Sequence, residues 1–83
     1  MTTPIKRIIR YDEHGTKSFQ LVITHPREDI IWRVGFDLEL SYVVSDWLKE
    51  NCVGKVDHYP GYHDYGIRFY DERDAVLFLT FHA

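Results

Sequence analysis

The apolar positions of this chain change period several times, and each change predicts an element. Ile5 to Tyr11 is β-branched and charged by turns, the pattern of a strand. Asp12-Glu13-His14-Gly15 follows, with Gly15 free to take the positive φ that a hairpin loop requires. Across Ser18 to Thr24, the side chains of Phe19, Leu21 and Ile23 share one face, the period of a half-buried strand. The two runs together predict a β-hairpin. His25-Pro26-Arg27-Glu28-Asp29 then interrupts the pattern, because Pro26 has no N–H to give to a ladder.

The middle of the chain carries two periods at once. Ile30 to Phe36 is rich in strand formers, and Val34, Phe36, Leu38 and Leu40 continue the alternation. Leu40, Val43, Val44, Trp47 and Leu48 recur at three and four residues, the inner stripe of an amphipathic helix, with Asp46, Lys49 and Glu50 opposite. The pattern predicts a third strand at about 30–36 and a helix at about 37–51, capped by Asp37 and with Glu39 in its first turn. Asn51 and Gly54 supply its stop signals. A competing reading is one long helix from Pro26 that tolerates Gly35 at about 1 kcal/mol.

After Gly54 comes a loop rich in tyrosine and histidine, Asp57 to Asp64, whose central Pro60-Gly61 marks a type II turn. Tyr65 to Tyr70 reads as the last strand. Asp71 caps a final helix that turns Ala75, Phe78 and Leu79 toward the sheet. Phe81 is expected to be buried, since otherwise the terminus frays. The whole predicts one α+β domain over 1–83: an antiparallel sheet of three or four strands with two helices packed on one face.

Composition and charge narrow what such a domain can do. With 83 residues, 45% of them hydrophobic and 16% aromatic, the chain has too many core formers for intrinsic disorder. It carries no apolar run of the roughly 20 residues that cross a bilayer, so no membrane role is expected. Its single cysteine, Cys52, has no internal partner, which suits a reducing interior such as the cytoplasm of a cell; a place in a virion is also open. The net charge of −3 is unevenly spread. Residues 1–35 hold six cations against four carboxylates, a net of +2, and residues 36–83 hold four against nine, a net of −5. Lys6, Arg7 and Arg10 form the one basic cluster. Nucleic acid is therefore disfavoured as main partner, and the acidic second half suits a protein with a basic surface.

The candidate chemistry lies in the tyrosine and histidine loop. His58 and His63, flanked by Asp57 and Asp64 with Cys52 upstream, match no paired-ligand zinc spacing, so neither metal nor other cofactor is expected. There is no glycine-rich phosphate cradle, no oxyanion element and no dinucleotide fingerprint, which argues against an enzyme. His58, Tyr59, Tyr62, His63 and Tyr65 are instead candidate binding residues, since tyrosine and histidine on a turn provide adaptable contacts at low entropic cost.

Two resemblances arise near the C-terminus. Tyr65-Gly66-Ile67-Arg68-Phe69-Tyr70 followed by Asp71-Glu72-Arg73-Asp74-Ala75 resembles the third strand and second helix of an RNA-recognition motif. Tyr65, Gly66 and Tyr70 match that signature; Asp64, Ile67 and Arg68 depart from it, and no fourth strand follows the helix. Trp47-Leu48-Lys49-Glu50-Asn51-Cys52, the tyrosine-rich connector, and the ending Asp74-Ala75-Val76-Leu77-Phe78-Leu79-Thr80-Phe81 are similar to short uncharacterised bacteriophage proteins. That likeness spans roughly 43–83, implies a viral origin and carries over no catalytic residue. Three readings follow: a phage-type protein that binds another protein, as a modulator of a host factor or in assembly, with Tyr59, Tyr62 and Tyr65 as anchors; a single-stranded RNA binder stacking bases on Tyr65 and Tyr70, with Lys6, Arg7 and Arg10 on phosphates; or a homo-oligomer joined at a strand edge.

Overall fold

The computed structural model describes residues 5–24 and 27–82, so the interruption at His25-Pro26 lies outside the described residues. Six strands and two helices follow in the order β1 (Lys6–Tyr11), β2 (Lys17–Thr24), β3 (Ile31–Val34), β4 (Asp37–Leu40), α1 (Tyr42–Asn51), β5 (Val56–Pro60), β6 (Asp64–Phe69) and α2 (Glu72–His82). The fold is α+β. Four strands make an antiparallel sheet in the order β1-β2-β6-β5, and β3 with β4 makes a separate antiparallel arm. No helix among the described residues is long and apolar enough to cross a membrane.

The register of the central pair decides where the core lies. Phe19 pairs with Phe69, Leu21 with Ile67 and Ile23 with Tyr65, so the apolar sets of β2 and β6 share one face. The two helices cover that face with Val44 and Leu48 from α1 and Ala75 and Phe78 from α2, all buried. Phe78 meets Phe69 at a ring-centre distance of 5.6 Å and receives Trp47 edge-on at 5.9 Å, which joins the helices to each other as well as to the sheet. The expected hairpin forms: Asp12 and Thr16 close a three-residue loop with Gly15 at φ 80°.

Three expectations are corrected. Residues 37–40 are a strand, and α1 begins only at Tyr42, capped by Ser41 Oγ, which accepts the Val44 amide at 3.4 Å. Gly35 decides the matter. At φ 64° it opens a two-residue turn with Phe36, so the β-rich run folds back on itself as a hairpin instead of passing into helix. Asp37 and Glu39 are thus strand residues, not a cap and a first-turn acid. Second, the stretch from Asp57 is not a free loop, because Val56–Pro60 and Asp64–Phe69 pair as β5 and β6. Gly61 does not take the positive φ of a type II turn. Pro60 is tolerated because it ends an edge strand, where a missing N–H breaks no ladder. Third, Phe81 is 65% exposed. The helix face that packs inward runs through Ala75, Phe78 and His82, and the His82 ring fills the space between Trp47 and Phe78. The buried Arg27 fastens this end by donating to the His82 carbonyl at 2.7 Å while pairing with Asp29 at 2.8 Å.

Asp71 caps α2 as expected, accepting the Arg73 amide at 2.8 Å. Asp74 does something that capping did not suggest. It is fully buried, and its carboxylate accepts the amides of Val53 at 3.1 Å and Gly54 at 2.9 Å, which holds the connection between α1 and β5. A Cβ at position 54 would stand 2.9 Å from Asp71 Cβ, so this close approach needs glycine.

Replacing Asp74 with alanine strands two inward-facing amides. We expect a loss of about 3 kcal/mol in urea denaturation, with Asp74→Asn costing about half because one acceptor oxygen remains. His82 yields a second expectation. Burial holds its pKa below the ordinary 6.5, Asp29 opposes that effect and Arg27 adds to it. The unfolded chain therefore takes up this proton first, so stability is complete above about pH 6.5 and falls as pH drops through the folded-state value. The thermal midpoint should fall between pH 7 and pH 5, and less steeply in His82→Phe; parallel curves for the two proteins would contradict this origin.

Candidate functional site

The β3–β4 arm and the β5–β6 hairpin meet at one end of the molecule. The Leu38 amide donates to the Gly61 carbonyl at 3.0 Å, and Arg33 donates to the Phe36 carbonyl at 3.1 Å and the Tyr62 carbonyl at 2.6 Å. The Arg33 guanidinium also lies over the Tyr62 ring, 4.6 Å from its centre. Arm and hairpin are thereby joined by one backbone pair and by the Arg33 side chain, which reaches across to the Tyr62 carbonyl and ring.

Between them runs a cleft of about 450 Å³. Asp37, Glu39, Tyr42 and Ser45 line one side, from β4 and the first turn of α1, and His58 and Tyr65 line the other. Burial, with Glu39 adding to it, pushes the Tyr65 phenol pKa up, and its hydroxyl shares a hydrogen bond with His58 Nδ1 at 2.9 Å. Outside the cleft the arm carries a set of side chains that water should not favour. Pairing alternation puts Trp32 and Val34 on the same face as Asp37 and Glu39. Trp32 meets Tyr42 edge-on at 5.4 Å, and Phe36 at the tip is 84% exposed and Tyr42 76%. Val34 and Val43 are exposed as well.

The five residues singled out from the sequence separate into three places. His58 and Tyr65 stand together in the cleft, and Tyr65 is 6% exposed, so it shapes the cleft wall and offers no free ring. Tyr62 and His63 pack edge-on at 4.6 Å at the hairpin turn, beside Arg33. Tyr59 projects to the opposite face of the main sheet, away from the helices and next to Arg10, Gln20 and Arg68. Trp32, Phe36, Glu39 and Tyr42 went unnoticed as site residues. The signal was present in Gly35, a turn residue set between two runs of strand formers, which is a hairpin pattern.

No cluster of three or more histidine, cysteine or acidic side chains that could hold a metal ion occurs among the described residues. Comparison of the chain with protein-family models, with curated proteins and with solved structures finds no match. The site must be judged on its geometry.

Cys52 borders a second groove beside His58. Burial, then the charge of Asp74, pushes its pKa up to about 11. At pH 8 its thiolate fraction is about a hundredfold below that of a thiol at 9.0, and alkylation should be slower by that factor than for a free cysteine peptide. Rapid labelling of the folded protein would refute the assignment of Cys52 as an inert packing residue.

Proposed function

We propose that the chain works by holding another protein, and that the arm is the surface it uses. The observation that carries this reading is the exposed set Trp32, Phe36 and Tyr42 beside the Asp37 and Glu39 carboxylates. Contiguous apolar surface rimmed by charge is a mark of interaction sites, and aromatic anchors supply most of the energy at such sites. The carboxylates select a partner that presents lysine or arginine next to apolar side chains, in keeping with the net charge of −5 over residues 36–83. The cleft beyond them gives such a cation a place to enter, with Ser45 and His58 as further polar contacts. The pattern of residues 43–83 supports a phage-type origin for this binder.

A second reading has one observation in its favour. The face of the main sheet away from the helices carries Arg10, Arg68 and Tyr59, with the Tyr70 ring beside Arg68, a combination that suits a single-stranded nucleic acid. Tyr65 points to the core side, so stacking on this face would fall to Tyr59 and Tyr70.

The two readings separate in one capture experiment on a bacterial lysate, with and without nuclease. Wild-type protein should retain a protein that survives nuclease and is released by about 0.5 M salt, where charge attraction is screened. Phe36→Ser and Glu39→Lys should each lose it. Retention by both variants would overturn the assignment to the arm, and loss on nuclease treatment would favour the sheet face.

A further inference from the structure

β1 lies at the edge of the main sheet, and its hydrogen-bonding pattern follows from the hairpin that closes it. The Asp12 amide bonds to the Thr16 carbonyl, which makes Asp12 and Thr16 a bonded pair. Antiparallel pairs alternate, so Arg10, Ile8 and Lys6 exchange bonds with β2, while the N–H and C=O of Arg7, Ile9 and Tyr11 point outward. No other backbone bond among the described residues uses those three. The other edge strand, β5, ends in Pro60, and the turn beyond it accepts a bond from β4. Among the described residues the β1 strand has neither a proline nor such a neighbour.

Beside this edge lies a groove of about 350 Å³ between β1 and α2. Leu21 and Ala75 floor it and are buried, while Ile9 and Val76 stand at its rim, 55% and 54% exposed. The strand's own alternation sorts its charge. Ile9 faces the groove together with Arg7, and Lys6 and Arg10 face the open side of the sheet.

The geometry points to this edge as the docking site of an extended acidic segment of another protein, added to the sheet as a further antiparallel strand. Such a segment alternates apolar and acidic residues. Its apolar side chains rest against Ile9 and Val76 in the groove, its carboxylates meet Lys6 and Arg10 on the other face, and its backbone bonds to Arg7, Ile9 and Tyr11. Charge complementarity selects this occupant over a second copy, which would bring its own three cations to the same edge. The inference goes beyond the reading of the arm: it concerns another surface, of opposite sign, and stands or falls separately.

The test uses a fluorescein-labelled peptide, Ser-Glu-Ile-Glu-Val-Glu-Ser, titrated with the full chain at low salt. Polarisation should rise saturably, and amide shifts should centre on Arg7, Ile9 and Tyr11. Replacing the three glutamates with lysine should weaken binding by about tenfold or more, as two or three exposed ion pairs imply. N-methylation of the isoleucine and valine amides should do the same, and Arg10→Glu, shown folded by circular dichroism, should also weaken it. Absence of saturable binding, equal binding of the lysine peptide, indifference to N-methylation, or shifts centred elsewhere would each overturn the proposal. So would a sedimentation mass that rises to a dimer while the β1 amides become protected, since a second copy would then hold the edge.

Discussion

Asp74 sits in the first turn of α2 with its carboxylate wholly out of water, and its two oxygens accept the amides of Val53 and Gly54, 21 and 20 residues earlier. Burying a carboxylate costs several kcal/mol unless its lone pairs are met, and here two backbone N–H groups and the positive end of a helix meet them. This bond fixes where α1 ends and where β5 begins. β5 sets the hairpin with β6, and the turn of that hairpin receives β4. The arm therefore takes its position from a side chain on the final helix, which is why the residues of the candidate surface and those of the core cannot be treated as separate problems.

The surface itself is built on an asymmetry between the two small hairpins. β5–β6 is sheet-bound and partly buried, and two of its aromatic residues have fixed partners: Tyr65 in the cleft wall and Tyr62 against Arg33. β3–β4 buries Ile31 and Leu38 and leaves Trp32, Val34 and Phe36 outside. A short strand pair with one apolar face inward has no need of three large apolar groups outward. Their exposure is a standing cost in solvation that a bound partner would relieve.

Much of this fold was legible in the residues themselves. The β1–β2 hairpin, the inward set of Phe19, Leu21 and Ile23, the strand at 65–70 and the Asp71 cap all follow from local period and capping chemistry. The α+β class, with both helices on one face, follows from those. The arm was obscured because Leu38 and Leu40 satisfy a strand period while Leu40, Val43 and Val44 satisfy a helical one. Only Ser41, which caps the helix, and Gly35, at positive φ, mark where one gives way to the other. The roles of Asp74, Arg27 and His82 depend on partners 20 to 55 residues away and leave no local trace. Of the candidate site, His58 and Tyr65 were found through composition, and Trp32 and Phe36 were read only as strand formers because nothing in a sequence says that a strand will have an open side.

The strand order β1-β2-β6-β5 has a consequence for how the chain is made. β2 lies at the centre of the sheet, yet its partner on one side is β6, with Phe19 opposite Phe69 across fifty residues. The first hairpin can close as soon as it leaves the ribosome, but its apolar face stays wet until most of the chain has been synthesised. The covered face of the sheet cannot form until β6 has reached β2, so its pairing depends on a contact that is distant along the chain.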